Sequence, residues 1–144
     1  MNTKVALVAG GDVLSVCGRP YEIQHDPQAL VPLLRELATE VGGDAPETAH
    51  AVTMTAELSQ MFRTKSDGVA FVLDAVTTAF PSSLVRVFSV DGCFLSVEDA
   101  RRVPLDVAAA NWAATAHAVA RHHPDTLLID IGTTSTDIIP IAGA

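Results

Sequence analysis

The chain has 144 residues, of which 49% are hydrophobic and 18% are charged, and its formal net charge is −8 at pH 7. This length is typical of one domain with its own hydrophobic core. The nine Lys and Arg residues form no cluster that would neutralise phosphates, which argues against a nucleic-acid-binding surface. The apolar runs are too short to span a bilayer, and no signal peptide pattern is visible. We therefore expect a cytoplasmic protein that binds neither a membrane nor a nucleic acid.

The chain contains two cysteines, Cys17 and Cys93. Two cysteines make no disulfide framework, and their spacing is not that of a metal-binding pair. Buried free thiols are therefore expected. The five histidines also lack the spacing of zinc ligands.

The first half of the chain predicts a hairpin, a helix and a strand. Residues 4–9 and 13–17 have the pattern of two strands, and the Gly-Gly-Asp segment between them is a turn signal. Pro27 opens a segment with helical apolar spacing, which Gly42 and Gly43 end. A short strand is predicted over residues 50–54.

The following segment predicts a helix and a second hairpin. Ser66 with Asp67 is expected to cap a helix that continues to Ala79. Residues 84–90 are predicted as a strand, and a tight Asp-Gly turn leads to its return over residues 93–95.

Two helices are predicted before the final segment. Ser96 is followed by a pattern close to a capping box, and this short helix ends before Pro104. Asp106 is expected to cap a long alanine-rich helix that reaches about His122. The alternation of strands and helices predicts a single α/β domain over residues 1–144, with a mixed sheet and helices on its faces.

The final segment, residues 127–141, has the strongest functional signal. Two apolar runs, expected to be strands buried on both faces, flank a short turn. Gly132 allows the backbone N–H groups of the turn to converge on an anion, and hydroxyl side chains add further donors. The four consecutive hydroxyl residues are Thr133, Thr134, Ser135 and Thr136. Asp130 and Asp137 at the edges are suited to hold a hydrated Mg²⁺ that bridges to phosphate. The alternative is a buried hairpin whose polar turn is merely solvated.

Two further charged residues lie beside the ends of predicted elements, one after a strand and one before a helix. Glu57 lies just past a buried strand, where ligands of α/β sheets collect. It is equally compatible with an ordinary glutamate in the first turn of a helix. Lys65 precedes a helix and could meet an anion, although such a lysine is more often simply exposed.

The alanine-rich helix carries a polar pair. Asn111 and Thr115 are four residues apart and share one face, where small neighbours permit close approach of a ligand. Trp112, the only tryptophan, projects away from that face and is assigned to the core rather than to a pocket.

Together these segments resemble the hydantoinase/oxoprolinase-related family, and within it the group associated with tetrahydromethanopterin-linked C1-transfer pathways. The resemblance rests on residues 53–58, 64–65 with 68–69, 88–94, 104–106 with 110–116, and 130–141. It implies the actin-like ATPase superfamily fold shared by sugar kinases, Hsp70 and actin.

The resemblance also implies an activity in methanofuran biosynthesis. A transferase of this kind joins an (aminomethyl)furan-methyl diphosphate to the phenol of γ-glutamyltyramine, and Mg²⁺ neutralises the charge of the leaving diphosphate. By this resemblance the phosphate site comprises Lys4, Asp130, Gly132, Thr133, Thr134, Ser135 and Thr136, while Glu57 and Asn111 contact substrate or remove the phenolic proton. The alternatives are an ATP-dependent hydantoinase or oxoprolinase and a non-catalytic phosphate-binding module.

One departure from the family pattern bears on activity. Family members begin with an Asp-x-Gly-Gly-Ala-Asn-Thr-Lys phosphate loop, of which only Asn2, Thr3 and Lys4 are found here. The sequence is therefore interpreted as an internal piece of a longer family member. We expect weak catalysis unless another chain supplies the rest, and an exposed sheet edge would favour a homodimer.

Overall fold

A computed structural model of the chain describes residues 2–131 and 136–143. The strands are β1 (Asn2–Ala9), β2 (Asp12–Pro20), β3 (His50–Val52), β4 (Val85–Phe88), β5 (Phe94–Ser96), β6 (Thr126–Ile131) and β7 (Thr136–Ile141). The α-helices are α1 (Leu30–Val41), α2 (Lys65–Ala79), α3 (Val97–Arg102), α4 (Pro104–Val107) and α5 (Asn111–Ala120). Two 3₁₀ turns, Pro27–Ala29 and Ala56–Leu58, precede α1 and follow β3. The predicted order of strands and helices is confirmed except between β5 and β6, where three helices are found instead of two, and the chain has a mixed α/β architecture.

The strands form three separate sheets within the described residues. β1 and β2 make an antiparallel hairpin, as predicted, and its turn uses Gly10 and Gly11 at positive φ. β3, β4 and β5 make the mixed sheet, in which β3 and β4 are parallel and β4 and β5 are antiparallel. β6 and β7 make the hairpin predicted for the final segment. The single mixed sheet that the sequence predicted is thus divided into three parts.

The main hydrophobic core lies between α2 and the mixed sheet. Leu73 of α2 and Val87 of β4 are both fully buried, and Val107 of α4 joins them. Val, Leu and Ala fill these positions because α2 presents an apolar face to strands that alternate in and out. A second cluster forms around Ile23, Leu30 and Ala75, where α1 meets α2.

The predicted ends of α1 at Gly42 and of α2 at Ala79 agree with the structure, whereas the predicted cap of α2 does not. Gly42 ends α1 with a left-handed φ of 79°, and its N–H bonds back to the last turn. The cap of α2 is Thr64, whose side chain accepts a hydrogen bond from the N–H of Asp67. The Asp67 side chain returns a bond to the N–H of Thr64, which completes a capping box. The prediction of Ser66 as the cap was therefore wrong, because Thr64, two residues earlier, makes the reciprocal pair with Asp67.

The long helix predicted from Asp106 to about His122 was also wrong. The chain forms the short α4, leaves helical geometry over residues 108–110 and resumes as α5 at Asn111. Alanine-rich sequence favours helix throughout this stretch. The interruption instead coincides with Ala109, whose backbone makes a long-range hydrogen bond and has a φ of 52°.

The final hairpin differs from the prediction in its burial. Leu127 and Ile129 of β6 are 56% and 53% exposed, and Ile138 of β7 is also exposed. Among the described residues the hairpin packs on α5, which covers one face and leaves the other open. The prediction that both faces are buried was therefore wrong for the described chain.

Both cysteines are free, as predicted, but Cys93 is exposed and Cys17 is only half-buried. The buried environment expected for both thiols is therefore not found. Across residues 2–131 and 136–143, no helix combines the length and the hydrophobicity that crossing a membrane would require.

Candidate functional site

Glu57 is the most deeply buried charged side chain in the described part of the chain. It lies in the 3₁₀ turn Ala56–Leu58, which begins four residues after the carboxyl end of β3, and is 2% exposed. The sequence predicted this position at the end of a buried strand. Burial of a carboxyl group requires compensating contacts, because desolvation penalises the charged form.

One carboxylate oxygen of Glu57 has such a contact. Oε1 accepts a hydrogen bond of 2.7 Å from the backbone N–H of Ala109, between α4 and α5. The bond joins residues 52 positions apart, so it ties the end of β3 to the start of α5. The other oxygen, Oε2, is buried without a hydrogen-bond partner among the described residues. Oε1 of Glu57 therefore has a structural role, whereas Oε2 is free to accept a proton or a hydrogen bond.

Burial raises the pKa of the Glu57 carboxyl above its ordinary value. The backbone N–H groups of Glu57 and Ala109 act in the opposite direction, and so does the positive charge of Lys65. Desolvation is the largest of these causes. A carboxylate with a raised pKa is a stronger base than a solvated one, which suits proton removal.

Gly68 makes the close packing around Glu57 possible. A Cβ atom at position 68 would lie 2.6 Å from Cα and 2.8 Å from the carbonyl oxygen of Glu57. Atoms of the backbone cannot move aside as a flexible side chain can. Glycine is thus needed in the first turns of α2 for a steric reason, although it weakens a helix.

Asn111 begins α5 two residues after the hydrogen bond to Glu57. Ala109 has a left-handed backbone, which is strained for a residue with a Cβ, and Ala110 is fully buried. The hydroxyl of Thr115 donates to the backbone carbonyl oxygen of Asn111, four residues earlier in α5. The hydrogen bond from Ala109 therefore links Glu57 to the segment that directly precedes Asn111, the other predicted catalytic residue.

Trp112 lies at the surface of α5 rather than in the core. It is 39% exposed and lines a cleft of about 260 Å³ between α5 and β7. His117 lines the same cleft, and its ring packs edge-on against Phe88. The assignment of Trp112 to the core was wrong, because α5 is covered on one side by a hairpin that leaves this gap.

Asp130 and Asp137 lie directly opposite each other on β6 and β7. Opposed residues of an antiparallel pair have Cβ atoms about 4.5–5.5 Å apart and project to the same face. Asp130 is exposed and Asp137 is half-buried. Two like charges in this arrangement repel each other, and a bound cation would relieve the repulsion.

The chemistry of this pair fits Mg²⁺. The ion is commonly held by one or two carboxylates, with water and substrate phosphate completing six ligands. No group of three His, Cys, Asp or Glu residues is suited to hold a metal within residues 2–131 and 136–143. A Mg²⁺ at Asp130 and Asp137 would therefore need further oxygen ligands besides these two carboxylates. Thr136, also predicted to bind phosphate, is exposed beside Asp137, whereas Gly132, Thr133, Thr134 and Ser135 lie outside the described residues.

The two lysines of the prediction lie at different places. Lys4 is exposed on β1, which packs on β2 and α1, whereas the β6–β7 hairpin packs on α5. The described contacts thus do not bring Lys4 to the aspartate pair. Lys65 is exposed at the first position of α2, where its charge favours the ionised form of Glu57.

Sequence reasoning missed Ala109 and Gly68, the two residues that position Glu57. Gly68 had a usable signal, since a glycine inside a predicted helix often marks a close approach. No such signal marks Ala109, because one alanine in an alanine-rich stretch does not reveal that the helix is interrupted there.

The chain belongs to the hydantoinase/oxoprolinase family, whose profile matches residues 48–144. This range contains Glu57, Asn111 and the aspartate pair. The predicted family resemblance is therefore confirmed.

A relative of known activity is found in Methanocaldococcus jannaschii. The chain is 49% identical over 92 residues to its (4-{4-[2-(gamma-L-glutamylamino)ethyl]phenoxymethyl}furan-2-yl)methanamine synthase. The matched segment is 63% of this chain and 28% of the relative. The chain thus spans little more than a quarter of the relative's length.

Proposed function

We propose that the chain forms part of a transferase that builds an aryl ether in methanofuran biosynthesis, on an actin-like ATPase fold. The observation that carries the proposal is the 49% identity over 92 residues to the ether synthase. The substrates are an (aminomethyl)furan-methyl diphosphate and the phenol of γ-glutamyltyramine. Both groups occur, joined, in the product that the relative's name describes.

The reaction is a substitution at the furan-methyl carbon. The phenol oxygen forms a bond to that carbon while the bond from the carbon to the diphosphate oxygen breaks. Diphosphate leaves with the bonding electron pair, and the phenolic proton passes to a base. No oxidant or ATP is needed, because the diphosphate is itself the leaving group.

Glu57 is the proposed base. Its Oε2 is buried and has no described partner, and burial raises the pKa of the carboxyl. Oε1 stays bonded to the Ala109 N–H, which holds the carboxylate in one orientation. Asn111 follows this contact at the start of α5 and is proposed to contact the substrate.

The β6–β7 turn is proposed as the diphosphate site. Asp130 and Asp137 would hold a Mg²⁺ ion, and Gly132, Thr133, Thr134, Ser135 and Thr136 would contribute to phosphate binding. Lys4 is left out of this site, because the described contacts do not bring β1 to the hairpin. Bound Mg²⁺ would neutralise the negative charge on the leaving group. The facing carboxylates of β6 and β7 support this assignment, because they lower the cost of binding a cation there.

Calorimetry with inorganic diphosphate and with ATP, each with and without Mg²⁺, tests the binding step. We expect diphosphate to bind in the presence of Mg²⁺ and to lose most of its affinity without the ion. Asp137→Asn should weaken binding, whereas Asp12→Asn, the same charge change in the β1–β2 hairpin, should not. Absence of any diphosphate binding would overturn the proposed site.

The second candidate is an ATP-dependent amide-ring opener, favoured by the family profile over residues 48–144. A turnover assay separates the two activities. Ether product together with diphosphate release in the absence of ATP supports the transferase. ATP consumption that depends on an added cyclic amide supports the hydantoinase or oxoprolinase activity. The third candidate, a non-catalytic phosphate-binding module, predicts diphosphate binding without either reaction.

A further inference from the structure

The cleft between α5 and β7 lies on the same face of the final hairpin as Asp130 and Asp137. Side chains of a strand alternate between its two faces, so Asp137, Ile139 and Ile141 project to one face of β7. All three are half-buried, whereas the residues between them are exposed. Ile139 and Ile141 line the cleft, so Asp137 continues the same row of side chains beyond it.

The first turn of α5 lies at the end of the cleft that is nearer to the two aspartates. Residues 121–125 alone separate α5 from β6, and β6 begins at the end of the hairpin that is away from the aspartates. The last turn of α5 therefore lies at that far end. Trp112, near the start of α5, and Ala120, at its end, both line the cleft. The helix thus runs along the cleft and brings Trp112 toward the aspartates.

His117 supplies a polar group whose position in the cleft is fixed by two contacts. Its ring packs edge-on against Phe88, with the ring centroids 5.9 Å apart. A Cβ atom at Gly92 would lie 2.5 Å from two atoms of the same ring, so the turn between β4 and β5 also touches it. A neutral imidazole offers one hydrogen-bond donor and one acceptor. The ring is therefore oriented before any ligand binds.

The lining of the cleft suits a neutral aromatic ring that carries one hydroxyl. Most of its side chains are alanine or aliphatic, and none of the described lining residues is Lys, Arg, Asp or Glu. A charged group such as diphosphate would find no counter-ion there. The indole of Trp112, which is 39% exposed, offers a flat surface for stacking and one N–H donor. Trp112 and His117 can thus bind a ring and its hydroxyl together.

We propose that this cleft binds the phenol ring of the tyramine-type acceptor, with Trp112 as the residue on which the ring stacks. The inference rests on the proposed function, in which a phenol oxygen attacks the carbon that carries diphosphate. The donor substrate is joined to diphosphate and is therefore held at the two aspartates, which leaves the adjoining cleft for the acceptor. Its volume of about 260 Å³ accommodates one ring with a two-carbon arm.

Titration with tyramine tests the proposal, and the indole of Trp112 reports the result. Trp112 is the only tryptophan, so the chain gives one indole N–H signal in NMR spectra. We expect tyramine to shift this signal until the site is saturated, with and without Mg²⁺ and diphosphate. Phenethylamine, the same molecule without the hydroxyl, should bind about threefold to tenfold more weakly, because the hydrogen bonds to the hydroxyl are lost.

A matched pair of variants shows where tyramine binds. Ala116→Leu adds bulk to a residue that lines the cleft and leaves Trp112 and His117 in place. It should weaken tyramine binding about tenfold or more. Ala118→Leu makes the same change at an exposed position of α5 outside the lining and should leave binding unchanged. Leucine is nearly as favourable as alanine in a helix, so both variants should fold.

An indole signal that tyramine does not move, with or without Mg²⁺ and diphosphate, would overturn the proposal. Equal affinity for tyramine and phenethylamine, or undiminished binding to Ala116→Leu, would also overturn it. Diphosphate binding is measured separately on the same protein, so the two failures are distinguishable. Diphosphate binding without a response of Trp112 to tyramine removes the acceptor site alone. A saturable response to tyramine without diphosphate binding supports the phenol site and contradicts the proposed transferase.

Discussion

The carboxylate of Glu57 accepts a 2.7 Å hydrogen bond from the backbone N–H of Ala109, and this contact fixes where α5 begins. Ala109 adopts a left-handed φ of 52° at the interruption between α4 and α5. The hydrogen bond offsets part of the cost of that backbone conformation. A buried acid at the end of β3 thus determines the position of Asn111, the other predicted catalytic residue.

Glu57→Ala should destabilise the fold more than Glu57→Gln. Alanine leaves the N–H of Ala109 without its acceptor, at a cost of about 1–3 kcal/mol in the free energy of unfolding. Glutamine keeps an oxygen in the place of Oε1 and nearly the same volume. Urea unfolding of the three proteins measures the difference. Equal stability of the alanine and glutamine variants would contradict a structural role for the contact.

Gly68→Ala should lower stability, contrary to the usual effect of this substitution in a helix. Alanine would normally gain about 1 kcal/mol over glycine in a helix interior. Here the new Cβ would lie 2.6 Å from the Cα atom of Glu57, so backbone must shift, at a cost of about 1–3 kcal/mol. Thermal unfolding measures the result, with Ser66→Ala in the same helix as the control. A higher midpoint for Gly68→Ala would show that Glu57 and α2 are not in close contact.

The stability contributed by Glu57 should depend on pH in a defined direction. Burial raises the pKa of the folded carboxyl above the ordinary value of 4.5, so folding favours the neutral form. That stability is fully present below pH 4.5 and is lost as the pH rises through the folded pKa. Glu57→Gln removes the titration, so the variant should gain stability relative to the unsubstituted protein as pH rises.

The measurement is the free energy of unfolding of both proteins from about pH 4 to pH 8. The difference between the two values isolates Glu57, because the contributions of the other acidic residues cancel. If the unsubstituted protein instead gained stability relative to Glu57→Gln at higher pH, the pKa of the Glu57 carboxyl would be lowered by folding rather than raised.

Asp130 and Asp137 of the final hairpin should repel each other in the absence of a cation. Asp137→Asn should raise the free energy of unfolding by about 0.2–1 kcal/mol in buffer without Mg²⁺, because two facing like charges become one. Adding Mg²⁺ and diphosphate should then raise the thermal midpoint of the unsubstituted protein more than that of the variant. Asp12→Asn serves as the charge-matched control. If the ligands stabilise all three proteins equally, the pair does not bind the ion.

The elements of this fold were largely predictable because their signals are local. Gly10 and Gly11 form the turn of the first hairpin, Gly42 ends α1, and apolar spacing marks α1 and α2. The break at Ala109 was not predictable, since it depends on a hydrogen bond from a residue 52 positions away. The burial of β6 and β7 was misjudged because apolar composition does not reveal how many faces of a strand are covered.

The candidate site was predictable in composition but not in arrangement. Glu57 was recognised from its place after a strand, and the structure adds its burial and its spare oxygen. Asp130 and Asp137 were recognised as a pair, and the register places them opposite each other. Tertiary packing alone determines that Gly68 must be glycine.

The central claim is that the β6–β7 hairpin binds a metal-bound diphosphate, and amide NMR spectra test it most directly. On addition of Mg²⁺ and diphosphate, the amide signals of Asp130, Ile131, Thr136 and Asp137 should shift, and those of the β1–β2 turn should not. Asp137→Asn should abolish most of the shift. Unmoved signals across residues 130–137 at saturating diphosphate would contradict the proposed site and, with it, the transferase mechanism.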